Sequence, residues 1–325
     1  MNSPFFLSPV GKDYLWGGSR LKEEFNKDID MVPLAETWEC TTHPDGPSIV
    51  RGGEYDGMSL TEVIAAHPEY LGIKNQDYNE LPIMIKFIDA NKDLSVQVHP
   101  DDDYAMKYEN GQLGKTEMWY VLDATEDARL IYGLNNDSSP EILRKALDEG
   151  TIMNYLQSVP VRKNDIFFVK AGIIHAIGGG ALIAEIQESS NLTYRLYDYD
   201  RCDAKGNRRE LHIDKALRVA NMKSSASPRQ PLRVLRYSKG VARELLCRCK
   251  YFEVNRMIVN TEKNRRISYQ ADELSFSVLL CIEGNGQIEL EGKVQELAKG
   301  DCIFFPASSH EAKISGCIEF LDVRG

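Results

Sequence analysis

Residues 94–100 read LSVQVHP, residues 114–124 read GKTEMWYVLDA and residues 164–178 read NDIFFVKAGIIHAIG. Each is rich in β-branched and aromatic residues and carries Gly, Asn, Asp or Pro at or near its ends, which predicts β-strands. Side chains two apart on a strand share a face, so Gln97 and His99 project together. Glu117 and His175, on neighbouring strands, can converge on them. Two imidazoles and one carboxylate with an open position are the donor set of a catalytic zinc ion, which acts as a Lewis acid on substrate oxygens. Ligands this scattered have no diagnostic spacing, so strand geometry alone also allows three unrelated polar residues on half-buried strands.

Working outward, PIMIKFID (82–89), RLIYGL (129–134) and ALIAEIQ (181–187) are further short alternating or β-rich runs set between turn residues. Three stretches predict helices. Ser59-x-x-Glu62 before Val63 and Ile64 is a capping box. Ser139-Pro140 places a proline in the first turn ahead of EILRKALDEG, with Gly150 as the stop. HIDKALRVAN (212–221) gives a third, short helix. Many strands with few helices point to a mainly β fold, a sandwich or barrel core with helical decoration.

Residues 222–235 are Ser-, Pro- and Arg-rich without apolar periodicity, and read as a linker. Strand signals resume in YFEVNRMIV, SFSVLLCIEG, GQIELEG, DCIFFPA and CIEFLDV. There KGDCIFFPASSHEA (299–312) echoes KNDIFFVKAGIIHA (163–176), an internal duplication. The second copy keeps His310 but has no Gln-x-His pair before it, so it is expected to be structural and free of metal.

Composition narrows the function classes. A chain of 325 residues has room for two compact domains. Net charge is −10 with no basic stripe, which argues against nucleic-acid or membrane-surface binding. No apolar run reaches the roughly 20 residues that span a bilayer. The N-terminus has no positively charged segment before its apolar patch, so it does not read as a secretory signal. Seven cysteines without zinc-ribbon spacing fit free thiols in a reducing cytoplasm.

The runs GKTEMWYVL, KAGIIHAIGGGALIAEIQESSNLTYRLYDYD and PIMIKFIDANKDLSVQVHPDD, with the opening Lys12–Leu21 around Trp16-Gly17-Gly18, resemble the type I mannose-6-phosphate isomerases. The likeness is to their short bacterial form. It is strong from about residue 5 to 220 and weaker beyond. It implies two cupin-like jelly-roll barrels: a catalytic metal-binding unit over 1–221 with short helices inserted in and after it, the linker 222–235, and a degenerate barrel over 236–325. It implies one zinc ion held by His99, Glu117 and His175, with Gln97 as a fourth, weaker ligand. Arg195 matches the residue assigned as catalytic, Glu185 and Lys115 match polar positions around it, and Lys86, Ser95 and Arg201 fall where the phosphosugar is bound.

The implied reaction, mannose 6-phosphate to fructose 6-phosphate, moves a proton between adjacent carbons through an enediol. It needs a base, a charge stabiliser and a positioning site. Arginine stays protonated and is a poor base, which leaves Glu185 or a lysine as proton carrier. A phosphate monoester carries about −1.5 to −2 charges, so the cleft must be locally positive within an acidic chain. The competing readings are a metal-dependent cupin oxygenase and a non-catalytic sugar-phosphate-binding regulator. The lysine- and arginine-rich set disfavours the first, and the intact ligands disfavour the second. His43, His67 and His212 read as packing or surface residues, and oligomeric state is left open.

Overall fold

The computed structural model describes residues 2–202, 205–225, 228, 230, 233–261 and 265–325. Parts of the 222–235 stretch lie outside the described residues. Strands dominate, gathered into sheets of six, five and ten, and the helices are short.

The six-stranded sheet runs Ile166–Val169, Glu117–Ala124, Ala181–Glu188, Ile83–Ala90, Glu36–Cys40, Val10–Lys12. The five-stranded sheet runs Tyr194–Tyr197, Val96–Val98, His175–Ile177, Arg129–Leu134, Leu156–Pro160. Within both sheets every pairing is antiparallel. The two sheets pack face to face across an apolar cluster that includes Ile88, Leu94, Val121, Leu130, Phe167, Ile177 and Ile183.

The period of two decides what points where. On Ala181–Glu188, Leu182, Ala184 and Ile186 join the core shared with the ten-stranded sheet. Ala181 and Ile183 face the interior of the six-and-five unit. Glu185 shares their face and lines a cleft. On Val96–Val98, both valines pack outward under the helices Pro140–Asp148 and Ile213–Val219, which leaves Gln97 on the inner side. Strands buried on both faces read as near-continuous apolar runs, and the few polar residues on the inner face are therefore the chemically informative ones.

The stretch 164–178, read above as one strand, is two: Ile166–Val169 and His175–Ile177. Gly172, at φ +86°, turns the chain between them and donates its N–H to the His99 carbonyl at 2.9 Å. A side chain is strained at that φ. This turn brings His175 beside His99. The three predicted helices are present as Leu60–Ala66, Pro140–Asp148 and Ile213–Val219. The Ser59–Glu62 capping box closes in both directions. Two helices were missed, Arg20–Phe25 and Asp102–Tyr108. The second is capped by Asp101, whose side chain accepts the Tyr104 N–H.

The ten-stranded sheet draws most of its strands from 236–325. Phe5–Ser8 also belongs to it, paired with Cys302–Phe305 on one side and Ile49–Arg51 on the other. Two segments from the first part of the chain thus complete a sheet built by the last part. What is described of 222–235 docks on the six-and-five unit: Gln230 pairs its amide with the Ile166 N–H and C=O at 2.7 and 3.1 Å. His310 is half-buried, its Nδ1 2.9 Å from Glu291 Oε1. The ten-stranded sheet buries an apolar cluster that includes Leu279, Ile303, Phe305 and Phe320. Among the described residues no helix is long and apolar enough to cross a membrane.

Candidate active site

The strand registers assemble the site. Across the five-stranded sheet, Arg195 lies opposite Gln97, and Gln97 opposite His175. Across the six-stranded sheet, Trp38, Lys86, Glu185 and Trp119 form one row, and Glu117 lies opposite Gln187 in the next. Directly opposed residues hold their Cβ atoms about 4.5–5.5 Å apart, so each row presents a contiguous set of side chains to the interior.

His99, Glu117 and His175 come together with ligand atoms all within 4.8 Å of one another, and all three are buried. Among the described residues no other group of three or more such side chains is placed to hold a metal. His99 Nδ1 donates to the Leu192 carbonyl at 2.7 Å, and His175 Nδ1 to the Ile173 carbonyl at 2.8 Å. Each backbone acceptor fixes the neutral tautomer with its Nε2 lone pair free. Both Nε2 atoms and both Glu117 oxygens are buried without a hydrogen-bond partner. His99 Nε2 and Lys115 Nζ approach Glu117 Oε1 at 3.0 and 2.6 Å, but neither contact has hydrogen-bond alignment.

Burial, with Lys115 adding to it, pushes the His99 pKa down to about 3, and burial also lowers that of His175. Burial alone would raise Glu117, but Lys115, His99 and His175 hold it well below the usual carboxylate range. Four orphaned donor atoms in a dry interior are costly unless something binds them. Neutral imidazoles and a carboxylate are the protonation states a divalent cation requires. The residues fit the implied metal.

A cleft of about 250 Å³ opens beside this cluster, and Ser95, Gln97, Lys86, Lys115, Glu185 and Arg195 line it. Six of the ten predicted site residues therefore share its wall, and three more form the buried cluster. Arg201 stands outside that lining: its guanidinium donates to the Asp198 carbonyl and carboxylate and to the Asp93 carbonyl. Trp119 Nε1 donates to Glu185 Oε2 at 2.8 Å, and Lys86 Nζ lies 3.4 Å from Glu185 Oε1 and 3.8 Å from Glu36 Oε2. Burial, then Glu117, raises the Glu185 pKa. Burial would lower Lys86, but Glu36 and Glu185 outweigh it and raise its pKa. Arg195 gives Nη1 to the Glu210 carbonyl at 2.8 Å and Nε to Ser95 Oγ at 3.3 Å.

Sequence reasoning missed Tyr14, Glu36, Asn191, Thr193 and Arg209 in the wall. Glu36 was open to discovery only through register, since it precedes Trp38 by one same-face step. Trp16-Gly17-Gly18 is explained by close approach: a Cβ on Gly17 would lie 2.5 Å from Ala35, and one on Gly18 would lie within contact of the Asp89 carboxylate. The run therefore seats Trp16 against the cleft.

The model for the type I phosphomannose isomerase catalytic domain matches residues 5–132, and that for the mannose-6-phosphate isomerase cupin domain matches 243–324. The chain is 38 % identical to the mannose-6-phosphate isomerase ManA of Bacillus subtilis, over 97 % of each chain. It is 37 % identical to the mannose-6-phosphate isomerase of Streptococcus mutans, over 99 % of this chain and 98 % of that one. The chain belongs to the type I mannose-6-phosphate isomerases. A crystal structure of the Bacillus subtilis mannose 6-phosphate isomerase superposes with TM-score 0.89 at 34 % identity, covering 99 % of both chains. A phosphomannose isomerase from Salmonella typhimurium shares the fold at TM-score 0.78 and 16 % identity. As a member of this family the chain is an isomerase, mainly β and of cupin type.

Proposed function

We propose that the protein interconverts mannose 6-phosphate and fructose 6-phosphate with a zinc ion held by His99, Glu117 and His175, and with Gln97 beside them as a further oxygen donor. The observation that carries this reading is the convergence of four orphaned ligand atoms of His99, Glu117 and His175 next to Gln97 and Lys115, which line a cleft that also holds Glu185 and Arg195. When bound, zinc supplies Lewis-acid polarisation of the sugar's carbonyl and hydroxyl oxygens. The donor set lacks thiolate and also suits other divalent cations that accept nitrogen and oxygen.

Glu185 takes the C2 proton of the open-chain aldose and returns it at C1, while a hydroxyl proton passes from O2 to O1. Its raised pKa brings it closer to the neutral range where a carboxylate base works well, and Trp119 fixes one oxygen so that the other is presented in one orientation. Arg195 is anchored at Glu210 and Ser95 and faces the enediolate as fixed positive charge. Lys115, 2.6 Å from Glu117 Oε1, orients that carboxylate. Lys86, between Glu36 and Glu185, balances the charge on the base. Residues 1–221 carry this chemistry, and 236–325 serve packing and closure.

The test is purified protein with mannose 6-phosphate and direct detection of fructose 6-phosphate, before and after chelation and after zinc is restored. Activity lost on chelation and regained with zinc is the expected result. No product from protein with full metal content overturns the reading.

A further inference from the structure

The inner face of the strand Ala181–Glu188 carries a second polar side chain to which no role has been given. Gln187 lies two residues beyond Glu185, on the same face, and directly opposite Glu117 across the sheet. It is fully buried. Its Nε2 donates to the Glu188 carbonyl at 2.9 Å and to the Ser190 carbonyl at 2.6 Å. A carbonyl only accepts, so these two contacts fix which end of the carboxamide is nitrogen. Oε1 is left buried without a hydrogen-bond partner. Such an acceptor costs about 1–3 kcal/mol, so for packing alone an apolar side chain of the same length would be more stable. The donor end accounts for the glutamine.

The loop that Gln187 holds touches both ligand-bearing segments. Ser190 N–H donates to the Glu188 carbonyl at 2.7 Å, so that carbonyl ties the loop twice. Ser190 Oγ accepts the Leu192 N–H at 3.3 Å and donates to the Leu113 carbonyl at 3.0 Å, at the start of the run that leads into Glu117. Leu192 in turn offers its carbonyl to His99 Nδ1 at 2.7 Å. One carboxamide thus stands on the strand facing Glu117 and grips the loop whose carbonyl orients His99. His175 is independent of it, since its Nδ1 donates to the Ile173 carbonyl. A partner that sets the tautomer and direction of an imidazole tunes its strength as a metal ligand.

Resting on the zinc reading above, we propose that Gln187 is a positioning residue of the metal centre, which acts on His99 through the loop from Glu188 to Leu192. Without its two donated bonds the loop loses its tie to the strand, and the Leu192 carbonyl no longer meets His99 in one direction. His99 then samples its other tautomer, with Nε2 protonated and closed to a cation, and must be reordered before it can bind one. The dependence is one-sided: His99 responds to Gln187, and His175 does not.

The test compares the full chain as wild type, Gln187→Met and Ser190→Ala. Methionine keeps the length of the buried side chain and removes the donors. Ser190→Ala cuts the ties of the same loop to Leu113 and Leu192, and carries the test if Gln187→Met does not fold. Zinc affinity, measured by competition with a chromophoric chelator, should fall roughly 10- to 100-fold in Gln187→Met. In the metal-free wild type, nitrogen NMR of the imidazoles should show a single Nδ1-protonated tautomer for His99 and for His175. Either variant should show a tautomer mixture at His99 alone. Zinc affinity within twofold of wild type, an unchanged His99, or His99 and His175 signals that move together would each overturn the proposal. If the wild type takes up no zinc, the zinc reading fails instead. The His99 tautomer in the metal-free variants then still decides whether Gln187 orients the ring.

Discussion

The indole N–H of Trp119 donates to Glu185 Oε2 at 2.8 Å, and the two residues are direct cross-strand partners in the six-stranded sheet. A donor to the carboxylate favours its charged form. Trp119→Phe removes that donor while keeping an aromatic ring in the row. It should cost roughly 1–3 kcal/mol of stability, because a buried acceptor loses its partner. The Glu185 pKa should rise further, so the acid limb of the pH–rate profile moves to higher pH. Chemical denaturation and a kcat/KM profile measure the two effects, and an unmoved acid limb would remove Glu185 from the role of base.

If His99, Glu117 and His175 hold the zinc ion proposed above, metal binding and folding are linked through them. A ligand at a thousandfold excess over its Kd adds about 4 kcal/mol to stability. Zinc should therefore raise the thermal midpoint of the metal-free wild type, and His175→Ala should lose both the metal and that response while its circular dichroism stays native. Elemental analysis decides the matter. Full zinc content in an inactive His175→Ala protein would rule out the residue as a ligand.

Arg195→Lys keeps one positive charge but loses the planar fork that reaches Glu210 and Ser95 at once. If Arg195 acts mainly on the enediolate, turnover should drop by about 10²–10³, with zinc retained and KM changed modestly. Exchange of the substrate C2 proton with solvent should fall in parallel. Exchange at the wild-type rate without isomerisation would place Arg195 after proton abstraction.

At the end of the strand Ala181–Glu188, Glu188 Oε1 accepts the Thr116 N–H at 2.7 Å. Burial, then Asp102, raises the Glu188 pKa to about 8, while Asp102 itself accepts from Tyr251 and Gly114. An unfolded glutamate ionises near 4.3. Between that value and about 8 the folded state holds a proton that the unfolded state has released, so stability falls as pH rises through this window. Glu188→Gln keeps an acceptor for Thr116 and abolishes the titration. Its stability relative to wild type should grow from pH 5 to about 8 and then level off, read as the difference in denaturation midpoints. A constant difference across that range would show that Glu188 is ionised throughout.

Much of this architecture was legible because alternation is a physical code. LSVQVHP places Ser95, Gln97 and His99 on one face, and EMWYVLDA places Glu117 and Trp119 on another, before any partner strand is known. Arg209 left no such trace. It sits among ordinary charged residues in RCDAKGNRRE, and only tertiary folding turns it toward Ser95 and Arg195. Asp102–Tyr108 was missed although Asp101 is a sound N-cap. The split of 164–178 was missed for the opposite reason: Lys170–Ile174 continues the apolar tone of its flanks while Gly172 reverses the chain.

The pairing of Phe5–Ser8 with Cys302–Phe305 has a consequence for biosynthesis. Translation delivers Phe5–Ser8 roughly 300 residues before Cys302–Phe305, so although Ile49–Arg51 can pair with one edge early, the other edge stays open while the strands that carry His99, Glu117 and His175 emerge and begin to associate. Contacts of such sequence separation form late, because loop closure comes before any reward. The nascent chain therefore carries an open strand edge in its Phe-Phe-Leu segment until Cys302–Phe305 leaves the ribosome, and chaperone capture should concentrate there. A stalled chain ending at residue 235 should remain chaperone-bound through residues 5–7, and one extended past residue 305 should release, which site-specific crosslinking on arrested ribosomes can read directly.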